Sequence, residues 1–235
     1  MKRSILIGLT LVLAAAGALL AQAAPKAQAS PALEKILNRM DETVAKFRAA
    51  QADFVWEQFQ SVVKETDTQK GKVYFRWATK DLQMMANIQD PTQKNVLYSD
   101  GKVQVYQPTI DQVTVYAPGK NRADVESFLV LGFGGGGHDL LKSFDVKYEG
   151  SENVGGVQTT KLDLLPKSPR VRNMFDHILM WVDPARGVSV QQQVFEPSGD
   201  FRLAKYSDIQ LNQKLPDNIF KLKTTGKTKV VSPQG

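Results

Sequence analysis

The sequence predicts a mainly β protein of the α+β class, in which a long antiparallel sheet curls around its own helices. Hydrophobic residues alternate with a period of two in about eleven segments after residue 51, which is typical of strands. Short turn signals separate these segments, and the absence of βαβ alternation argues against a parallel sheet. Several strands carry apolar residues on both faces, so both faces need cover. An open sheet of this many strands tends to curl.

The N-terminus has the pattern of a cleaved secretory signal peptide over residues 1–23. Two basic residues precede an uncharged apolar run at 5–20, and Ala21-Gln22-Ala23 follows as a small-residue cleavage site. The apolar run is short for a membrane-spanning helix, which needs about 20 residues. Ala24, the residue after the cut, is not the Cys that a lipid-anchored bacterial lipoprotein requires. We therefore expect export to the periplasm, with residues 24–31 as the flexible N-terminus of the mature protein. The alternative is that the segment is not cleaved and serves as an N-terminal membrane anchor.

Composition and charge exclude several classes of function. The 235 residues carry a net charge of +6 with acids interleaved among the bases, so no nucleic-acid partner is expected. The chain contains no Cys, which rules out disulfides, thiolate metal sites and thiol catalysis. A hydrophobic content of 42% is ordinary for a globular protein and is enough for a packed core.

One amphipathic helix is predicted near the start of the mature chain, over residues 32–50. Ser30 is a suitable N-cap, and Pro31 suits the first helical position. Apolar residues recur at steps of three and four, which gives the helix one face to bury. This stripe consists of Leu33, Ile36, Leu37, Met40, Val44 and Phe47.

The strands form two groups separated by a helical insertion at 122–143. The first group is predicted at 52–64, 71–77, 81–87, 94–99, 102–107 and 111–117, and the second at 144–150, 156–165, 174–183, 187–197 and 200–210. Asp100-Gly101, between two apolar runs, is a strong hairpin signal. A short segment at 215–220 follows the last strand, and 225–235 is expected to be a C-terminal tail.

The sequence offers little for catalysis. Of its two histidines, we expect His177 on a sheet face and His138 in a loop or cap, and neither has metal-ligand spacing around it. No nucleophile elbow occurs, so we expect no enzyme, no metal and no cofactor, with a secreted hydrolase as the competing class. The glycine run 134–137 lacks the Lys-Ser/Thr of a phosphate-binding loop. We interpret it as a hinge beside an apolar helical segment, with a plain surface loop as the alternative.

Several motifs, taken in order, resemble the LolA family of periplasmic outer-membrane lipoprotein carriers. Residues 95–108, NVLYSDGKVQVYQP, are similar to the family's S-D-G-k-x-x-x-Y-x-P hairpin. Residues 71–76 resemble an opening strand, 162–167 resemble its L-x-P-K strand, and 207–220 resemble its closing strand and tail. The resemblance covers about residues 32–224, which we expect to form one carrier domain.

The resemblance implies an unclosed β-barrel whose hollow is covered by helices and holds the acyl chains of lipoproteins. Such carriers take lipoproteins from an inner-membrane ABC transporter and pass them to an outer-membrane receptor, without a cofactor. We expect a monomer. Two alternatives on the same fold stay open: a carrier of another lipid, and a domain that senses lipoproteins.

Site residues follow from this resemblance and from the two-faced strands. The acyl-chain cavity is expected to be lined by Phe54, Trp56, Phe75, Trp77, Met84, Leu97, Val105, Leu164, Met180 and Trp181, with ordinary core filling as the alternative for any one of them. The expected lid residues are Val125, Phe128, Leu129, Leu131 and Phe133, and the expected hinge is Gly134, Gly135, Gly136 and Gly137. Family members often end the second strand with Arg-Pro, whose Arg helps hold the lid closed. Here Trp77 follows Arg76 in place of the family's Pro, so Arg76 is only a candidate latch. If its position is offset by one residue from that of the family's Arg, its side chain faces solvent on the other side of the strand.

Overall fold

The computed structural model describes residues 30–78, 81–119, 122–131 and 133–233. The predicted signal peptide at 1–23 and most of the flexible start at 24–31 lie outside these residues. The helices in the described part are α1 (Pro31–Val44), α2 (Arg122–Leu129), α3 (Gly137–Ser143) and α4 (Pro169–Arg172). The strands are β1 (Ala49–Gln60), β2 (Glu65–Ala78), β3 (Asp81–Asp90), β4 (Lys94–Ser99), β5 (Lys102–Gln107), β6 (Gln112–Tyr116), β7 (Phe144–Val154), β8 (Val157–Pro166), β9 (His177–Asp183), β10 (Val188–Phe195), β11 (Phe201–Leu211) and β12 (Lys229–Val231).

All these strands belong to one sheet, which confirms the predicted fold class. Their order is β12-β6-β5-β4-β3-β2-β1-β11-β10-β9-β8-β7, so the sheet is unclosed, with β12 and β7 at its two ends. Neighbours pair antiparallel except β12, which lies parallel to β6. The prediction of about eleven strands missed β12, which lies within the segment expected to be a tail. A three-residue strand has almost no alternation to detect, and its pairing partner is far away in sequence.

Local signals fix several element boundaries. The Ser30 side chain accepts a hydrogen bond from the Leu33 backbone N–H at 3.2 Å, which caps the start of α1 as expected. In the turn between β4 and β5, Asp100 and Gly101 both have positive φ, 52° and 70°, as a tight hairpin turn requires. The strand predicted from residue 174 instead begins at His177, because the chain before it forms the short helix α4.

The concave face of the sheet holds the main core. The buried side of α1, formed by Leu33, Ile36, Leu37 and Met40, packs in one cluster with side chains of β8, β9 and β10. Burying four such side chains contributes on the order of 6–12 kcal/mol. A second cluster, centred on β1, β2 and β3, takes in Phe133 and the apolar side of α2. The helical insertion therefore lies against the concave face, on top of this second cluster.

The convex face of the sheet is also partly covered. Met85 and Leu97 form a third cluster with Phe220, which belongs to a 3₁₀ turn at Asp217–Phe220. This cover explains why β3 and β4 carry apolar residues on both faces. Among the described residues, no helix is both long and apolar enough to cross a membrane.

Candidate functional site

An apolar cavity of about 300 Å³ lies between α2 and the concave face of the sheet. Six strands that are distant in sequence supply its wall, so the cavity exists only in the folded sheet. The apolar and aromatic side chains of this wall include those of Trp56, Phe75, Met84, Val96, Val194, Ala204 and Tyr206. On the helix side, Phe128 and Leu129 line the cavity. We call this space the inner cavity.

One buried amide lies among these apolar side chains. Gln192 on β10 lines the inner cavity and is 7% exposed. Its Nε2 has no hydrogen-bond partner among the described residues. A buried donor without a partner destabilises the folded state, so a ligand carbonyl that accepted from it would relieve that cost.

A second cavity, of about 690 Å³, lies on the other side of Phe128. Helix α2 contributes Val125 and Phe128 to it, and most of the other lining residues come from α3, α4 and the residues beside them. Arg202 of β11 also lines it. The Phe128 ring stacks on Phe175, with ring centroids 5.3 Å apart. Phe128 is therefore a shared wall between the inner cavity and this space, which we call the outer cavity.

The expected lid residues all lie against the concave face. Val125 and Leu129 pack against the cluster of β1, β2 and β3, and Leu131 is buried in the cluster around α1. Phe133 is 1% exposed, and its ring lies 5.2 Å from Phe75 and 5.0 Å from Tyr206. These side chains therefore cover apolar surface of the sheet, and their role as a lid stays a prediction.

A polar contact connects α2 to the sheet. The Tyr98 hydroxyl on β4 donates to Glu126 Oε1 at 2.6 Å. Arg122 donates through Nε to the same oxygen at 2.8 Å, and through its Nη2 to Asp81 Oδ1 at 2.9 Å. Burial and the Glu126 carboxylate raise the pKa of Tyr98 to about 12, which keeps the hydroxyl a donor. We call these four residues the α2 clasp.

The glycine run packs more closely than a free hinge requires. A Cβ on Gly137 would lie 2.2 Å from the Leu37 carbonyl oxygen, and one on Gly135 would lie 2.8 Å from the Val130 oxygen. Gly134 has a φ of +91°, which favours glycine. Gly136 and Gly137 are buried. These glycines thus allow the backbone of α3 to approach α1, and the hinge role stays a prediction.

The structure brings most of the expected cavity residues to the concave face. Trp56, Phe75 and Met84 line the inner cavity, and Phe54 stacks on Trp56 with ring centroids 4.1 Å apart. Trp77 pairs with Leu82 near the glycine run. The others on this face lie outside the inner cavity, with Val105 opposite Val96, and Leu164 and Met180 in the cluster under α1.

Leu97 and Trp181 lie on the convex face and are not brought together with the rest. Leu97 packs with Phe220 in the third cluster. Trp181 donates through Nε1 to Glu152 Oε2 on β7 at 2.8 Å. Successive strand residues face opposite sides, so Met180 and Trp181 cannot both face the same cavity.

Arg76 lies on the convex face, away from the lid. Its Nε donates to Gln83 Oε1 at 2.7 Å, and its Nη1 contacts Asp217 Oδ1 at 2.6 Å. Its guanidinium also lies over the Phe220 ring, 4.3 Å from the centroid. Arg76 therefore holds the C-terminal 3₁₀ turn against the sheet. The polar contacts described between α2 and the sheet are those of the α2 clasp.

His138 joins α3 to α1. Its Nδ1 contacts Asp41, and its Nε2 lies 3.2 Å from Glu34 Oε1. Its backbone N–H also donates to Asp41 Oδ1 at 3.2 Å. Asp41 and then Glu34 raise the pKa of His138 above its usual value. His177 stacks on Phe195 on the convex face, with ring centroids 4.4 Å apart.

Sequence reasoning missed the α2 clasp and the wall residues of β10 and β11. Glu126 follows Arg122 by four residues on a helix, which is a local signal for that pair. Nothing local connects either of them to Tyr98. Likewise Val194 and Tyr206 are typical strand residues, and only the curl of the sheet turns them toward the cavity.

Fold and site together define a class of protein, namely an open antiparallel sheet that curls around helices and encloses an apolar cavity under a helical cover. The model of one family, outer membrane lipoprotein carrier protein LolA, matches residues 45–223. The match extends over more than half of the 235 residues, and the chain belongs to the LolA family. Comparison with curated proteins gives no match.

Solved structures share the fold at low sequence identity. A crystal structure of MucB matches with a TM-score of 0.54 at 14% identity, covering 86% of this chain and 66% of that chain. An uncharacterized conserved protein from Thermus thermophilus has a TM-score of 0.54 at 12% identity, covering 86% of this chain and 99% of that one. The MucA/MucB complex of Pseudomonas aeruginosa has a TM-score of 0.49 at 15% identity, with 81% of this chain covered. The chain spans 61% of that relative's length. At 14% and 12% identity, the two likenesses with a TM-score of 0.54 establish the fold alone.

Proposed function

We propose that this chain is a periplasmic carrier that binds the acyl chains of lipoproteins in the inner cavity and ferries them from the inner to the outer membrane. The observation that supports this most is an apolar cavity whose cover, α2, is itself apolar on the side that faces the sheet. Membership of the LolA family favours lipoprotein cargo. A fold hosts many functions, so the argument rests on the site.

The cavity chemistry suits an acyl chain. Burial contributes about 0.8 kcal/mol for each methylene removed from water, so a long chain would bind tightly to an open cavity. The inner cavity has a volume of about 300 Å³, at the lower end of the usual range for ligand sites. Several acyl chains therefore require α2 and Phe133 to move away from the sheet.

Closure of the lid gives the carrier a way to release its cargo. Phe128, Leu129 and Phe133 cover the apolar surface that an acyl chain would use. A ligand that must first displace them binds with an affinity reduced by the fraction of open protein. The carrier thus holds its cargo firmly enough to shield it in the periplasm and weakly enough to transfer it.

A carrier of this kind works in the periplasm and needs a partner in each membrane. The N-terminal segment has the pattern of an export signal, and the carrier would receive cargo from an inner-membrane ABC transporter and deliver it to an outer-membrane receptor. It performs no reaction and uses no cofactor. Transport of another lipid, or sensing of lipoproteins, is the competing role for the same cavity.

Native mass spectrometry of the mature protein, purified gently from a bacterial periplasm, tests the cargo. A triacylated lipoprotein bound to the protein supports the proposal. Small lipids alone would contradict it and favour a carrier of another lipid. An empty protein would contradict it as well and favour sensing.

A lid variant tests the mechanism. Phe128→Asp places a carboxylate where a ring now packs on Phe175. Because burying that carboxylate is unfavourable, we expect the closed position of α2 to become less stable and the rate of lipoprotein transfer to acceptor membranes to change at least severalfold. Val230→Asp is the matched control, because Val230 is 65% exposed on the edge strand β12. Unchanged release and transfer by Phe128→Asp would contradict the lid assignment.

A further inference from the structure

The outer cavity differs from the inner one in its charge. Its floor is apolar and includes Phe128, Phe144 and Phe175. Its rim carries four cationic side chains, from Lys142, Lys167, Arg170 and Arg202. Among the residues described around it, no Asp or Glu lines this cavity, whereas Glu57 and Asp67 line the inner one. The outer cavity thus combines an apolar interior with a positive entrance.

The acids that neighbour this rim do not line the outer cavity. Lys142 pairs with Asp139 at 2.6 Å, and the two side chains are 78% and 64% exposed. Lys167 Nζ lies 3.7 Å from Asp145, and Arg202 pairs with Glu196 at 2.7 Å. Exposed pairs of this kind contribute little to stability, so their cations can turn toward another anion at small cost. Their flexible stems allow that movement.

The position of the rim relative to Phe128 suggests how a ligand would lie. Phe128 separates the two cavities, and Arg202 lines both. A ligand whose acyl chain passes Phe128 from the outer cavity would have the methyl end of that chain in the inner cavity. Its head would then lie within reach of the rim cations.

We propose that the outer cavity is a head-group site, which selects acyl lipids with an anionic head, either a phosphate or a carboxylate. This inference rests on the acyl-chain site of the proposed function and goes beyond its lipoprotein cargo, because the triacylated cysteine of a lipoprotein carries neither a phosphate nor a carboxylate. Charge-assisted hydrogen bonds from Lys and Arg to such oxygens are short and strong. The hydroxyl and ester oxygens of a neutral head group also accept hydrogen bonds from Lys and Arg, but they form no ion pair and bind more weakly.

Binding of three palmitoyl ligands to the purified mature protein tests this preference. Monopalmitoyl phosphatidylglycerol supplies a phosphate, palmitate supplies a carboxylate, and monopalmitoylglycerol is neutral. We expect both anions to bind about tenfold more tightly than the neutral ligand at low salt, and the difference to shrink as salt is added. Preference for one anion over the other identifies the head group.

A double variant, Lys142→Gln with Arg170→Gln, isolates the rim. We expect it to bring the anionic ligands to within about twofold of monopalmitoylglycerol and to leave binding of the neutral ligand unchanged. Lys147→Gln with Lys227→Gln removes the same charge from exposed positions outside the cavity and is the matched control. Thermal unfolding of both variants checks that each is folded.

The outcomes separate this inference from the proposed function. Equal binding of all three ligands would overturn the head-group site and leave the acyl-chain site intact. Failure of every ligand to bind would overturn both. If the rim variant keeps its affinity for single lipids but loses sedimentation with phosphatidylglycerol vesicles, the rim docks a membrane surface and the head-group site is wrong.

Discussion

The α2 clasp predicts that a conservative substitution on the sheet tightens ligand binding. Tyr98→Phe removes only the hydroxyl that donates to Glu126 at 2.6 Å. Tyr98 is on β4 and Glu126 is on α2, so the bond exists only when α2 lies on the sheet. The variant should therefore favour the open lid without removing an apolar contact.

The size of the effect follows from the geometry. A hydrogen bond to a charged group contributes about 1.5–3 kcal/mol net. Glu126 keeps its contact with Arg122, and its side chain is 30% exposed, so water replaces part of the lost bond. We take the lower end, about 1.5 kcal/mol, which corresponds to about tenfold in the ratio of closed to open protein. If the closed form predominates, the apparent affinity rises by about the same factor.

Titration with a fluorescent acyl probe measures the affinity, and hydrogen exchange of the α2 amides reports lid opening. Tyr106→Phe is the matched control, because Tyr106 also donates to a carboxylate, Asp111, at 3.1 Å and lies outside both cavities. We expect the control to bind like the wild type. Slower transfer of cargo to acceptor membranes should accompany the tighter binding of Tyr98→Phe.

Two results would refute this reasoning. Wild-type affinity together with wild-type exchange in α2 would mean that the clasp does not hold the lid. Weaker binding would mean that Tyr98 contributes to the ligand site itself, since loss of a latch alone can only increase the open fraction.

Four further predictions address the rest of the site. Gly137→Ala should lower the free energy of unfolding by about 1–3 kcal/mol, measured by chemical unfolding, because the new Cβ would lie 2.2 Å from the Leu37 carbonyl oxygen. Gly226→Ala is the control and should leave the free energy of unfolding unchanged, because a Cβ there meets no atom within 4 Å. Arg76→Ala should speed proteolysis near Asp217 and leave ligand affinity unchanged, and altered affinity would revive its role as a latch. Gln192→Leu should leave stability unchanged or raise it while weakening binding of ester-linked chains, and unchanged ester binding would show that the amide does not contact ligand. His138 pairs with Asp41 and Glu34, near Asp139, and these acids raise its pKa in the folded state. The pairs should therefore stabilise the fold fully below the unfolded-state pKa of about 6.5, and this stabilisation should be lost as pH rises through the folded-state pKa. The stability difference between wild type and His138→Gln, measured across this range, should shrink with rising pH, and a constant difference would contradict the pairing.

Residues whose environment is local were predicted well from the sequence. Ser30 and Pro31 define the start of α1, and Asp100-Gly101 defines a hairpin, because caps and tight turns depend on a few neighbouring residues. Period-two alternation located most strands of the sheet. The strand β12 escaped because it depends on pairing with β6, more than a hundred residues earlier in the chain.

The cavity residues were predicted in part, for a reason specific to this sheet. Alternation identifies two apolar sets on a strand but does not say which faces inward. Met180 and Trp181 are both large and apolar, yet one lies under α1 and the other donates to Glu152 on β7. Arg76 likewise lies on the face opposite to that of its neighbours Phe75 and Trp77. Which face becomes the inside depends on how the whole sheet curls.

The sequence by itself determined the fold class, the amphipathic helix before the sheet, the helical insertion at 122–143 and the apolar character of the residues that we assign to the lid. Each of these depends on periodicity or on short motifs. Only the tertiary structure decided that Phe128 separates two cavities, that Tyr98 and Glu126 meet, and that four cations gather around the outer one. These contacts join residues from distant parts of the chain. The curl of a twelve-stranded sheet brings such residues together, and that curl is a property of the whole sheet rather than of any segment.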